Sequence, residues 1–137
     1  MNYARVLLGG LVAGLVLNIG EFLLNGKVLA QQMSEFFSKC GIPQPRPSAL
    51  VILIAITFVL AIAILFIYAA IRPRCGAGPK TAVAAAIIAW FCVYLYNNVV
   101  GAALGFVPSN VLLIALVWGL VEYILAAIAG AWVYKES

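Results

Sequence analysis

Long apolar runs alternate with short polar breaks along this chain, and their lengths predict four membrane-crossing helices. The first run covers about 4–24, roughly 20 residues, enough to cross a ~30 Å hydrocarbon core at 1.5 Å per residue. The second, about 49–71, is interrupted only by Thr57 and Tyr68 and has the most lipid-facing character. The third, about 81–98, begins alanine-rich and becomes aromatic, with Trp90, Phe91, Tyr94 and Tyr96. Residues 99–106, VVGAALGF, are apolar enough to extend that helix or to dip back as a short re-entrant turn. Pro108, Ser109 and Asn110 then break the run and start the fourth span, about 111–134.

The breaks have characters of their own. Over about 27–40, Val28, Leu29, Met33, Phe36, Phe37 and Cys40 recur near helical spacing, with Gln31, Gln32, Ser34, Glu35, Ser38 and Lys39 mostly opposite. That segment is too short and polar to span, and predicts an amphipathic helix at the interface or folded over the bundle. The PQPRPS stretch that follows lacks three backbone donors and predicts a stiff extended link, with Ser48 capping the next helix. RPRCGAGPKT, with Pro73, Gly76, Gly78 and Pro79, predicts the turn between spans two and three. The expected fold is an all-α membrane protein. A four-transmembrane-helix bundle carries the amphipathic helix between helices 1 and 2, as one integral membrane domain over 1–137.

Composition agrees with that class. Of 137 residues, 66% are hydrophobic and only 9% charged, too few charges to cover a water-soluble domain. Arg5 and the apolar stretch behind it resemble a signal peptide, but Asn18, Ile19 and Gly20 make a poor small-x-small cleavage site. A retained transmembrane helix is the expectation. The net charge of +4 comes from bases lying between apolar runs rather than in a nucleic-acid-sized patch, so no nucleic-acid partner is expected. With both termini on one side, that side holds Arg5, Arg72, Arg74, Lys80 and Lys135, against Lys27, Lys39 and Arg46 on the other. The positive-inside rule then favours cytoplasmic termini. Arg72, Arg74 and Lys80 are candidates for contact with anionic lipid headgroups, or a topology signal and nothing more.

Residues 10–25, GLVAGLVLNIGEFLLN, carry the first unusual face. Gly10, Gly14, Asn18, Glu21 and Asn25 follow at helical spacings on one stripe, a face ill suited to lipid tails. A second stripe, Ala115, Gly119, Glu122, Ala126 and Gly130, again sets small residues around an acid. The small residues predict close helix packing. Glu122 lies about 17 Å along its span, near mid-bilayer, where an ionised acid costs roughly 2.5–3.5 kcal/mol, so it is expected to be protonated or bound to an amide or hydroxyl. Asn18, Glu21, Asn25, Asn97, Asn98 and, deeper, Glu122 form a candidate polar cluster. Such a cluster is either a proton- or cation-responsive pocket or a hydrogen-bonded clasp between helices.

Other chemistry is poorly represented. There is no His and no Asp, so the usual metal ligands and acid–base pairs are missing and neither catalysis nor a cofactor is expected. Cys40, Cys75 and Cys92 lack motif spacing, and Cys92 is expected to be a buried, inert thiol. GAGPKT lacks the G-x-x-x-x-G-K-[ST] pattern of a phosphate loop, because Pro79 separates Gly78 from Lys80.

In its opening GGLVAGLVLNIGEF, its IRPRCGAGPKT turn and its closing WGLVEYILAAIAGAWVYK, the chain resembles a group of small bacterial four-helix integral membrane proteins of unassigned function. The resemblance covers most of the length and implies a bacterial cytoplasmic (inner) membrane, but no activity. Two functions follow as expectations. One is a structural or accessory subunit packing against another membrane protein or copies of itself among membrane lipids. The other is a small proton-linked transporter or channel using Glu122 and Glu21. A lipid or quinone contact through the amphipathic segment and Trp90 is a third.

Overall fold

The computed structural model describes residues 1–135, leaving Glu136 and Ser137 outside the described residues. The described chain is helical, without strands, and four of its helices are long and apolar enough to cross a membrane. This is a multi-pass membrane protein. Helix α1 (Tyr3–Leu23) runs through a π-helical stretch (Leu24–Val28) into α2 (Ala30–Cys40). Helix α3 (Pro47–Cys75) returns, and a short turn leads to α4 (Pro79–Ala89). A second π-helical stretch (Trp90–Leu95) joins α4 to α5 (Tyr96–Ala103), so the third span is one rod, Pro79–Ala103. Helix α6 (Ser109–Val133) completes the bundle.

Several boundaries differ from the sequence expectation for physical reasons. Residues 99–103 extend the third span rather than dipping back, and Gly105 at φ 80° ends the rod, with Phe106 N donating to Gly101 O at 2.7 Å. Ser48 does not cap α3. Pro47 begins that helix behind Arg46, since a proline in the first turn brings the right φ and has no N–H to leave unpaired. Cys92, expected to be buried, is exposed on the surface of the third span, as are Cys40 and Cys75 at helix ends.

Apolar surfaces gain little by meeting in lipid, so helices associate where small side chains let backbones come close. The half of the bundle nearest the termini is built this way. Ala13, Ala61, Ala82, Ala85, Ala86, Ala126 and Ala127 are fully buried there. At its centre α1 crosses α6 backbone to backbone: a Cβ on Gly130 would lie 2.7 Å from Gly9 O and 2.6 Å from Leu65 Cδ2. Gly10 and Gly14 pack on α3 instead, against Ile62 and Phe58.

Aromatic and polar groups close this end. Tyr134 stacks edge-on to Tyr68 at 5.8 Å, lies under the Arg72 guanidinium at 5.4 Å, and accepts from Asn2 N at 3.3 Å. Both ends of the described chain therefore meet here. The turn to α4 is fixed by Gly76 and Gly78, at φ 83° and 134°, and by the buried Thr81 hydroxyl donating to Gly76 O at 2.7 Å. Arg74 and Lys80 are exposed beside it, whereas Arg72 is half-buried against Tyr134.

The distal half is looser. Residues 50–56 of α3 are all exposed, and that helix buries only Ala61, Ile64, Leu65, Tyr68 and Ala69. A small second core forms from Leu24, Leu29, Val111 and Ala115, with Met33 of α2 and Trp118 packed on it. It holds the start of α2 against α6.

The Gly9–Gly130 crossing is testable. Gly130→Val is expected to lower stability by about 1–3 kcal/mol through overpacking, seen as an earlier midpoint in a detergent denaturation titration. Gly26→Ala, whose Cβ would meet nothing closer than 3.8 Å, is expected to stay within about 0.5 kcal/mol of the parent. Equal effects from the two variants would remove the crossing as the source of the loss.

Candidate functional site

Small residues bring α1 and α6 together near the termini, and further along Gly20, Trp118 and Glu122 form the contact. On one flank of their contact lies a groove of about 670 Å³, lined by Val16, Ile19, Gly20 and Leu23 of α1 and by Leu113, Ile114, Val117, Trp118, Val121, Glu122 and Leu125 of α6. On the other flank a smaller cavity of about 230 Å³ is lined by Glu21, Leu24, Asn25, Leu29, Met33, Tyr94, Asn98, Val107, Val111 and Ala115. At 100° per residue, positions 16, 19, 20 and 23 project from a different face of α1 than 21, 24 and 25. The expected single polar cluster is thus divided by the helix contact.

Glu122 forms part of the floor of the larger groove. It is 5% exposed, and neither carboxyl oxygen has a hydrogen-bond partner among the described residues. Its seat is Gly20: a Cβ there would lie 2.6 Å from Glu122 Cδ and 2.7 Å from Oε2. The Trp118 indole, one turn earlier on α6, donates to Gly20 O at 3.2 Å and ties the two helices together beside the acid. Among the lining residues only Glu122 and Trp118 carry side-chain polar atoms, and the Trp118 donor is already engaged. The accessible surface of the groove is therefore hydrocarbon, with the Glu122 carboxyl oxygens closed off beneath it.

Glu21 belongs to the smaller cavity and has a partner. Asn25 Nδ2 donates to its Oε2 at 2.8 Å and to its backbone O at 3.1 Å. Asn98 also lines this space, with Nδ2 donating to Tyr94 O at 2.8 Å. The Tyr94 ring covers Gly119 and meets Tyr123 edge-on at 5.6 Å. Both π-helical stretches contribute to this wall, through Leu24 and Asn25 and through Tyr94. Single-turn π segments recur at functional sites because they re-aim side chains that a regular helix would direct elsewhere.

The remaining candidates are dispersed. Asn18 donates to Gly14 O at 2.9 Å and lines neither cavity. Asn97 is exposed and donates to Val93 O at 2.6 Å. Of the expected packing residues on α6, Ala115 lines the smaller cavity, Gly119 lies beneath Tyr94, Ala126 is fully buried and Gly130 meets Gly9. Trp90 donates to Leu116 O at 3.2 Å and braces the third span against α6. Sequence reasoning missed Gly20, Trp118, Tyr94 and Gly9. Trp118 was findable, since it lies four residues before Glu122 and so on the same helix face.

The seat of the acid can be tested by a double-variant cycle. Gly20→Ala is expected to destabilise by about 1–3 kcal/mol through its clash with the carboxyl. That loss is expected to vanish when Glu122 is also replaced by Ala, a coupling of contacting residues. Additive losses would mean that Glu122 does not rest on Gly20. Trp118→Phe is expected to lose about 0.6–1.7 kcal/mol, the range of interhelical hydrogen bonds in membranes, in the same titration.

No protein-family model matches the chain, and neither a curated protein nor a solved structure matches it significantly.

Proposed function

We propose that this chain is a membrane-embedded binding protein, without catalysis, that takes an apolar guest sideways from the bilayer into the groove between α1 and α6. Glu122 is the polar anchor. The observation that carries this reading is a buried carboxyl with no partner, at the floor of a groove otherwise lined by hydrocarbon. A clasp between helices would pair the acid. Leaving a buried polar group unpaired costs about 1–3 kcal/mol, and departures of this kind concentrate at functional sites. A small proton-linked carrier is the natural elaboration, because the Glu21 cavity flanks the same helix contact.

In this reading the membrane is the bacterial cytoplasmic membrane, with both termini inside. Arg5, Arg72, Arg74, Lys80 and Lys135 support that orientation, being the bases of the terminal segments and of the turn between α3 and α4. Arg74 and Lys80 are exposed and available to lipid headgroups. Helix α2 lies at the opposite interface, with half-buried Met33, Phe36 and Phe37 turned inward and Gln31, Glu35 and Lys39 exposed.

A second reading, an accessory subunit that binds another membrane protein or a second copy, draws support from the distal half of α3. Its residues 50–56 are all exposed among the described residues. Particle mass in a mild detergent separates the two: the accessory reading expects a mass above the monomer, and a clean monomer without a co-purifying partner removes it.

The binding reading has its own check. Val117 lines the groove yet is exposed, so Val117→Trp fills the space while sparing the bundle core. Lipophilic molecules extracted from the purified parent chain are expected to be depleted from this variant. An identical complement in both would contradict a guest in the groove.

A further inference from the structure

Unlike the groove, the smaller cavity has polar side chains on two of its walls. Glu21 and Asn25 line it from α1 and the first π-helical stretch, and Asn98 lines it from α5, with aliphatic residues such as Leu29 and Val111 closing the space. The amide nitrogens are already engaged. Asn25 Nδ2 donates to Glu21 O at 3.1 Å and to Glu21 Oε2 at 2.8 Å, and Asn98 Nδ2 donates to Tyr94 O at 2.8 Å. Each amide is thus turned back by its nitrogen onto its own helix. Among the described residues no hydrogen bond reaches Asn25 Oδ1, Asn98 Oδ1 or Glu21 Oε1. The unmet capacity of this cavity lies mainly in oxygen acceptors.

We propose that the smaller cavity is a site for a monovalent alkali cation of the sodium class, held by Glu21, Asn25 and Asn98 with waters completing its shell. Hard cations take carboxylate, amide-carbonyl and water oxygens, which is the set assembled here. The site is separate from the groove and does not depend on a guest there.

Charge selects the valence. Among the described residues no Lys or Arg lines the cavity, and Glu122, the other intramembrane acid, lines the groove instead. Ionised Glu21 therefore brings one negative charge, which one monovalent cation neutralises. A divalent ion would leave a net positive charge in a low-dielectric setting, and Mg²⁺ also gives up its waters reluctantly. Size argues against an organic cation. The cavity holds about 230 Å³, below the ~300–1,000 Å³ of small-molecule pockets. At ~30 Å³ per water it accommodates an ion with several waters. Access is from the interface: Asn25 is exposed and Glu21 is half-buried near the end of α1, so an ion reaches them without crossing hydrocarbon. Asn97 supplies an internal control. It bonds to its own helix in the same way, through Val93 O at 2.6 Å, but lines neither cavity.

The test is a denaturation titration of the full chain in a non-ionic detergent, with sodium chloride set against choline chloride and magnesium chloride at equal ionic strength. Sodium is expected to raise the midpoint saturably, as a ligand of the folded state does, whereas choline and magnesium are expected not to. Glu21→Gln is expected to weaken the apparent sodium affinity at least about tenfold, and Asn98→Leu to weaken it less. Asn97→Ala and the groove-filling Val117→Trp are expected to leave it unchanged, so the fate of the groove reading is decided separately. Equal shifts with sodium and choline, no shift with either, or a sodium response that survives Glu21→Gln overturns the site. A shift with magnesium as large as that with sodium overturns the monovalent assignment. Should Glu21→Gln fail to fold, the ranking of the three salts on the unaltered chain and the contrast between Asn98→Leu and Asn97→Ala still decide.

Discussion

Close backbone approach is the constraint on which this bundle depends. Helices surrounded by lipid gain little from burying aliphatic surface against one another, so contact has to come from shape. At Gly9 and Gly130 no side chain intervenes, and a Cβ on either would lie 2.7 Å from the other's carbonyl oxygen. The buried alanines of α3, α4 and α6 extend the same tactic across the half nearest the termini. Beyond that half the contact residues grow. Trp118, Tyr94 and Leu17 join glycine at the contacts, and the two cavities lie on either flank of α1 and α6 there.

Within that opening the two acids have different environments. Glu21 stands one turn before a π-helical stretch and is held by Asn25 from its own helix. Glu122 has been given a glycine to lie on and an adjacent indole, whose N–H donates to the backbone of α1 at Gly20 O. The arrangement fixes the carboxyl in place without neutralising its hydrogen-bonding demand.

Much of the architecture was legible in the sequence. Four spans follow from run length and polarity alone, because membrane thickness permits few other solutions. The small-residue stripes were also visible, but their partners were not: Gly10 and Gly14 face α3, and Gly9, off the predicted stripe, meets α6. Hydropathy leaves helix rotation undetermined, so a stripe predicts close packing without saying against what. The same limit split the polar cluster. Asn18, Glu21 and Asn25 share a stripe on an ideal helix, yet Asn18 turns to its own backbone and the π-helical stretch begins within the next turn after Glu21. Neither π stretch has a signature in the local composition, which contains no proline in either segment.

The central claim is that Glu122 is kept for a guest and not for the fold. Replacing it by Met, similar in length and able to fill the slot over Gly20, separates the two roles in one denaturation titration. Removing an unpartnered buried acid is predicted to leave the chain as stable as the parent or to raise its stability by about 1–3 kcal/mol. A loss of about 3–5 kcal/mol, the size expected for breaking a buried paired charge, would mean that the acid is a structural clasp and would contradict the account.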